Sequence, residues 1–147
     1  TADLDPATFD RMFAANVRSA YFLVAAIAPL MAKRGTGAII SLGSMGGQIG
    51  LSGGAAYSAT KAALASLTRS WAAEFSPQGV RVNAVAPGPV FTDGAAPDRT
   101  AALGATTLLG RAATPAEIAE VVAFLTSSKA AYITGAVIAA DGGRTAI

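Results

Sequence analysis

The strongest constraint on this chain is a rhythm in its sequence: stretches with helical spacing alternate with apolar runs too short to be helices. Asp5-Pro6 has the form of an N-cap followed by a first-turn proline, and Phe9, Met12, Phe13, Val17 and the residues from Ala20 onward keep helical spacing to about Lys33. Pro29 removes a backbone donor near the end of that helix, and Gly35 and Gly37 bracket its exit. Ala38 to Leu42 is a short apolar run opening into the glycine-rich stretch Gly43 to Gly54, which predicts a fully buried parallel strand and then a loop. Helical spacing returns from about Ala55 to Phe75 and stops at Ser76-Pro77-Gln78-Gly79. Val80 to Val85 reads as the next strand, closed by Pro87-Gly88-Pro89, which is not expected to continue a ladder. A small-residue loop, Asp93 to Gly110, is expected to hold a short helix near Thr100 to Leu109. Thr114-Pro115-Ala116-Glu117 has a capping-box pattern that opens a helix to about Ser127, and Ala136 to Ala140 is the last strand.

This order, helix and strand three times over, predicts an α/β fold on a doubly wound parallel sheet with three strands and three main helices. Three strands are few for such a sheet, whose ligand crevice lies at the carboxyl ends of the strands and needs neighbours on both sides. The chain is therefore expected to hold part of a single domain, with an unpaired edge at Ala38 to Leu42. Its 147 residues, 52% of them hydrophobic, are enough for one core.

Composition narrows the chemistry. With 11 basic and 9 acidic residues scattered along the sequence, no basic stripe points to nucleic acid. There are no cysteines and no histidines, so disulfides, thiolates, histidine triads and a metal site of the usual zinc type are excluded. Proton transfer falls to Tyr, Lys or carboxylates. The apolar run from Ser19 to Ala32 is shorter than the ~18 residues of a membrane span and contains Pro29, so it is expected to be a buried helix, with no membrane partner. The opening Thr1-Ala2-Asp3-Leu4-Asp5 lacks a signal-peptide pattern, so a cytoplasmic setting is expected; starting on threonine, it also points to residues upstream.

Tyr57 and Lys61 are four apart, so on a helix they share a face and can reach one ligand. They fall in the first turns after the glycine loop, near the carboxyl end of the first strand, where ligands of α/β sheets bind, and Ser44 lies just past that end. Taken singly, each has a plain structural reading: Ser44 as a loop serine, Asn16 bonded to local backbone, Pro87-Gly88 as a strand stop. Glu117 and Glu120 read as a solvated helix face.

A serine, a tyrosine thirteen positions on and a lysine four further resemble the active-site pattern of the short-chain dehydrogenase/reductase family, here Ser44 and Tyr57-Ser58-Ala59-Thr60-Lys61. Asn16 in Asn16-Val17-Arg18 matches that family's helix asparagine. Val82-Asn83-Ala84-Val85-Ala86-Pro87-Gly88-Pro89-Val90-Phe91-Thr92 resembles its proline-glycine segment, and Tyr132-Ile133-Thr134-Gly135 through Asp141-Gly142-Gly143 its tail. The resemblance covers nearly the whole chain and implies a Rossmann-like fold, of which this is the C-terminal catalytic portion.

It also implies an NAD or NADP cofactor and hydride transfer to or from a small-molecule carbonyl or alcohol, with a 3-oxoacyl reductase-like activity as the first expectation. Free tyrosine has a pKa of about 10 and becomes a useful acid-base group when a nearby cation stabilises its phenolate. By resemblance, Tyr57 exchanges the proton with the substrate oxygen, and Lys61 supplies the cation and holds the nicotinamide ribose. Ser44 bonds the substrate oxygen, and Asn16 holds a water linked to Lys61. Pro87 and Gly88 lie beside the nicotinamide, Val90 meets its carboxamide through backbone, and Thr92 binds the carboxamide or a phosphate.

The resemblance also implies a homodimer or homotetramer, with the two long helices, Asp5 to Lys33 and Ala55 to Phe75, as candidates for its interface. The family's glycine-rich pyrophosphate-binding turn is absent, and the glycines at 43, 46, 47 and 50 do not replace it. A fragment that acts only in folding or subunit assembly is the alternative.

Overall fold

The computed structural model describes residues 1–147. Three parallel strands, β1 (Gly37–Leu42), β2 (Val80–Pro87) and β3 (Val137–Ala140), form one sheet in the order β1-β2-β3. The helices are α1 (Pro6–Phe13), α2 (Ser19–Arg34), α3 (Ala55–Phe75), α4 (Pro97–Gly104) and α5 (Pro115–Thr126). β1 pairs with β2 from Gly37↔Val80 to Leu42↔Val85, and β2 with β3 from Ala84↔Val137 to Pro87↔Ala140.

Strand alternation sends side chains to two faces, and each face is covered. On one, Val24 and Ala28 of α2 and Trp71 and Ala72 of α3 close over Ile39, Val80 and Val82. On the other, Leu125 of α5 and Ala130 close over Val85. Helices on opposite faces of a parallel sheet make the fold doubly wound, as the rhythm predicts.

α1 and α2 are one rod interrupted by a π-turn at Ala14–Arg18. The π-turn inserts a residue, and the Ser19 hydroxyl bonds the Ala15 carbonyl within it. Its Asp5 cap is as expected, with the carboxylate accepting from Thr8 N–H at 2.9 Å.

Four expectations need correction. β2 runs two residues beyond Val85, because Pro87 sits at the end of the ladder and Gly88 N–H still bonds the Ala140 carbonyl at 3.1 Å. The short helix lies at Pro97–Gly104, where Pro97 takes the first helical position, rather than at Thr100 to Leu109. β1 is only half-buried, since Ile39 alone is covered and the edge away from β2 is free.

The α2 stretch is not a buried helix either. Val24 and Ala28 dock on the sheet, while Tyr21, Phe22, Leu23 and Leu30 stand exposed. The whole rod Pro6–Arg34 is long and apolar enough to cross a membrane by length and composition, with a mean hydropathy of 1.4 in its most apolar window. One face of it is nevertheless committed to the sheet and to α3.

Two polar side chains, Asn83 buried and Arg81 half-buried, fasten β2 to the segments around β3 and α5. Asn83, wholly buried in β2, donates to the Ile133 carbonyl (2.8 Å) and accepts from Ala136 N–H (3.0 Å), fixing the entry to β3. Arg81 donates to the Leu125 and Ser127 carbonyls at 2.7 and 3.2 Å, closing the C-terminal end of α5.

Candidate active site

The carboxyl ends of β1 and β2 gather the residues singled out in the sequence. Gly43 N–H still bonds the Val85 carbonyl at 2.7 Å, so Ser44 is the first residue to leave the sheet. Its backbone is extended, and its Oγ accepts from Gly46 N–H at 3.1 Å, capping a single 3-10 turn at Met45–Gly47. That turn presses on α3: a Cβ on Gly47 would lie 2.9 Å from the Lys61 carbonyl carbon, so only glycine allows the approach. Ser44 is thereby held over the part of the helix that carries Tyr57 and Lys61.

Those two side chains share a face, with Lys61 Nζ 5.6 Å from the centroid of the Tyr57 ring. Lys61 donates to the Leu42 carbonyl at 3.0 Å. Since Gly43 N–H points to β2, alternation turns the Leu42 N–H and C=O to the free side of β1, where the lysine meets them. Burial pushes the Lys61 ammonium below the ordinary lysine value. The Tyr57 phenol makes no hydrogen bond within the chain and lies on the open side of the helix, the residue being 37% exposed.

Asn16 reaches the same helix from the π-turn. Its Nδ2 donates to Thr60 Oγ1 at 3.1 Å, and that hydroxyl donates to the Tyr57 carbonyl at 2.7 Å. The plain reading of Asn16, a bond to its own helix, is therefore not what the side chain does. Thr60 was not singled out in the sequence; a threonine between the tyrosine and the lysine was the one available signal.

Past β2, Gly88 is a packing glycine, because a Cβ there would come within 2.7 Å of the Asp141 Cα. Phe91 N–H and Pro89 C=O both bond Ala113, at 3.0 and 2.9 Å, so the N–H and C=O of Val90 turn the other way. Leu42, Pro87, Val90 and Thr92 form one wall of a hollow of about 560 Å³, and Ile118 and Val122 of α5 stand opposite. Leu42 thus divides two groups, with Tyr57, Lys61 and Asn16 on one side of it and Pro87, Val90 and Thr92 on the other.

Glu117 is more than a solvated residue. It accepts two bonds from Arg111, at 2.6 and 2.9 Å, and one from Thr114 N–H at 2.8 Å, which complete the capping box. The Arg111 bonds and then the Thr114 amide hold its carboxyl at about 2. Burial acts to raise the Asp141 carboxyl, but the Thr145 and Gly143 amides, each at 2.9 Å, hold it below the usual range. Both carboxylates are committed to local structure.

A doubly wound parallel sheet with its candidate ligand-binding groups gathered at the carboxyl ends of the strands defines a Rossmann-like architecture. The profile of the family described as enoyl-(acyl carrier protein) reductase matches residues 1–145. The 2-(S)-hydroxypropyl-CoM dehydrogenase 3 of Xanthobacter autotrophicus is 43% identical over 99% of this chain and 60% of its own length. Among solved structures, a protein provisionally described as a betaketoacyl-ACP reductase is 46% identical with a TM-score of 0.92, over 100% of this chain and 63% of its own. ElxO with NADP bound is 27% identical with a TM-score of 0.94, over 99% of this chain and 61% of its own.

This chain belongs to the short-chain dehydrogenase/reductase family. It spans 60% to 63% of the length of these three relatives.

Proposed function

We propose that these residues carry the proton-transfer and nicotinamide-side half of an NAD(P)-dependent oxidoreductase acting on the carbonyl or alcohol of a small molecule. The observation that carries the reading is the convergence of the Tyr57 ring, the Lys61 ammonium and the Ser44 turn at the carboxyl end of β1. The site fits a nicotinamide nucleotide in its donor set. The Val90 amide and carbonyl are not used within the fold, Thr92 is exposed beside them, and Lys61 offers a cation across Leu42. When bound, the nicotinamide supplies or accepts the hydride.

In reduction, Tyr57 gives its phenolic proton to the substrate oxygen, and in oxidation it takes the proton back. Lys61, next to the ring, favours the phenolate and is placed to hold the nicotinamide ribose hydroxyls. Ser44 donates to the substrate oxygen and stabilises the charge that develops there. Asn16 anchors the helix from behind. The roles of Val90 and Thr92 toward the carboxamide rest on the free backbone groups of the one and the exposure of the other.

A 3-oxoacyl thioester is the first substrate class to try, supported by the provisional name of one structural relative, and NAD and NADP both go into the assay. On this reading the pyrophosphate-binding turn lies outside these residues, the protein is a homodimer or homotetramer through α1, α2 and α3, and it works in the cytoplasm. The exposed Tyr21 and Phe22 of α2, on the face shared with Leu67 of α3, support the interface.

The deciding experiment uses a protein of the relatives' length, assayed for NAD(P)H oxidation with acetoacetyl thioesters and cyclic ketones. Tyr57→Phe is expected to lower kcat by about 10²–10⁴-fold while cofactor binding, read by fluorescence, persists. Turnover at the parent rate in Tyr57→Phe would remove the basis of the proposal.

A further inference from the structure

We infer that Thr60 is a positioning residue of this site, tying the asparagine in the π-turn to the backbone of the catalytic tyrosine. The inference rests on the oxidoreductase reading above and deepens it.

Thr60 is fully buried, on the covered side of α3 with Leu64, Thr68, Trp71 and Ala72; Thr68 bonds within its own helix, to the Leu64 carbonyl, whereas Thr60 is also joined to another element. A threonine hydroxyl has one proton and two lone pairs, and burying it is favourable only when they are used. Here they are used in one direction: Asn16 Nδ2 donates to Thr60 Oγ1 at 3.1 Å, and Oγ1 donates to the Tyr57 carbonyl at 2.7 Å. The link crosses 44 residues of sequence and joins the first long rod to α3 at the turn that carries the phenol.

The π-turn is part of the same device. It inserts one residue into the rod at Ala14–Arg18, which rotates α1 by roughly 100° relative to α2. Asn16, within the turn, can then face α3 while Val24 and Ala28, further along, face the sheet. π-Turns recur at functional sites because their backbone is costly without a use.

The consequence is mechanical. The Tyr57 carbonyl is held from below by Thr60, the Lys61 carbonyl is pressed by the Gly47 turn, and the Lys61 ammonium is fixed on Leu42. Removing the hydroxyl frees one of these three restraints and leaves the Asn16 amide without its partner. The phenol then loses its set distance from Ser44 and Lys61 without any change in the reacting groups. Misplacement of about an ångström costs on the order of a hundredfold in rate.

The test uses a protein of the relatives' length with Thr60→Val, which keeps the volume and removes the hydroxyl, and Thr60→Ser, which keeps the hydroxyl. Thr60→Val is expected to lower kcat by about 10–100-fold with KM for substrate within about threefold of the parent. Thr60→Ser is expected to restore most of the rate, and Asn16→Ala added to Thr60→Val to cost little more than either alone. A crystal structure of Thr60→Val should show the Asn16 side chain rotated away and the first turns of α3 displaced.

Parent-like kcat in Thr60→Val would overturn the inference, as would a loss matched by the fraction of unfolded protein and not rescued by serine. If the parent itself turns over no carbonyl or alcohol, the oxidoreductase reading fails. The crystal structure then still decides the inference: Tyr57 and Asn16 unmoved in Thr60→Val would refute it.

Discussion

Lys61 is held in a place that suits chemistry better than stability. It is half-buried with a single carbonyl as its hydrogen-bond partner, and burial alone lowers its pKa. A lysine whose folded pKa is depressed binds its proton less tightly folded than unfolded. Between the lowered value and the ordinary value of 10.5, stability therefore rises with pH, and below both the charge is a net cost to the fold. Lys61→Met is accordingly expected to melt at or above the parent temperature while turnover falls by about 10²–10⁴-fold. A variant that loses both stability and rate would mean that the ammonium supports the fold, against the cost its burial implies. That Tyr57, Lys61 and Ser44 gather at one strand end was legible in the sequence, because a spacing of four puts the first two on one helix face and the serine follows the strand directly. Thr60 was not, because its importance depends on which helix lies over it, and nothing local to Tyr57-Ser58-Ala59-Thr60-Lys61 states that.

At the scale of elements, α5 shows how much one turn can carry. Thr114 Oγ1 accepts from Glu117 N–H, Glu117 returns the bond to Thr114 N–H, and Arg111 grips the same carboxylate. Thr114→Ala is expected to cost about 1 kcal/mol, measured by urea unfolding of the parent and the variant. Glu117 has its folded pKa lowered from 4.5 to about 2, so its contribution is present above 4.5 and is lost as pH falls toward 2. The difference between parent and Thr114→Ala should narrow over that window, and a difference constant down to pH 2 would count against the coupling. This capping box was legible to the residue, as were both ends of α3, because caps and stops are local. The π-turn was not: inserting a residue into Phe9, Met12, Phe13, Val17 and Ala20 leaves a pattern that still reads as one helix. Nor was the exposure of α2 legible, since apolarity marks a surface for covering without saying what covers it.

For the whole molecule, the open question of shape is concentrated on β1. Its N–H and C=O groups at Ala38, Ile40 and Leu42 point away from β2, and a groove of about 420 Å³ runs along that side, lined by Asn16, Leu23, Ile27, Leu42 and Lys61. An apolar groove beside unpaired strand backbone is a place for another strand, and the relatives are longer than this chain. If β1 is interior in a protein of their length, the Ala38 amide there is a ladder donor; in the 147-residue chain it lies on the unpaired edge of the sheet, beside the groove. Proline is tolerated only in the second situation, because it has no N–H to donate. Ala38→Pro should therefore leave the melting temperature of the 147-residue chain nearly unchanged and reduce its self-association, by removing a donor from the exposed edge. In the longer protein the same change should remove a ladder bond and misfit a paired strand, costing at least about 1–3 kcal/mol. At about 2–4 °C per kcal/mol for a protein of that size, the loss is visible in a thermal melt. Equal small shifts in both proteins would mean that the edge stays open in the longer one, and the groove would then need another occupant.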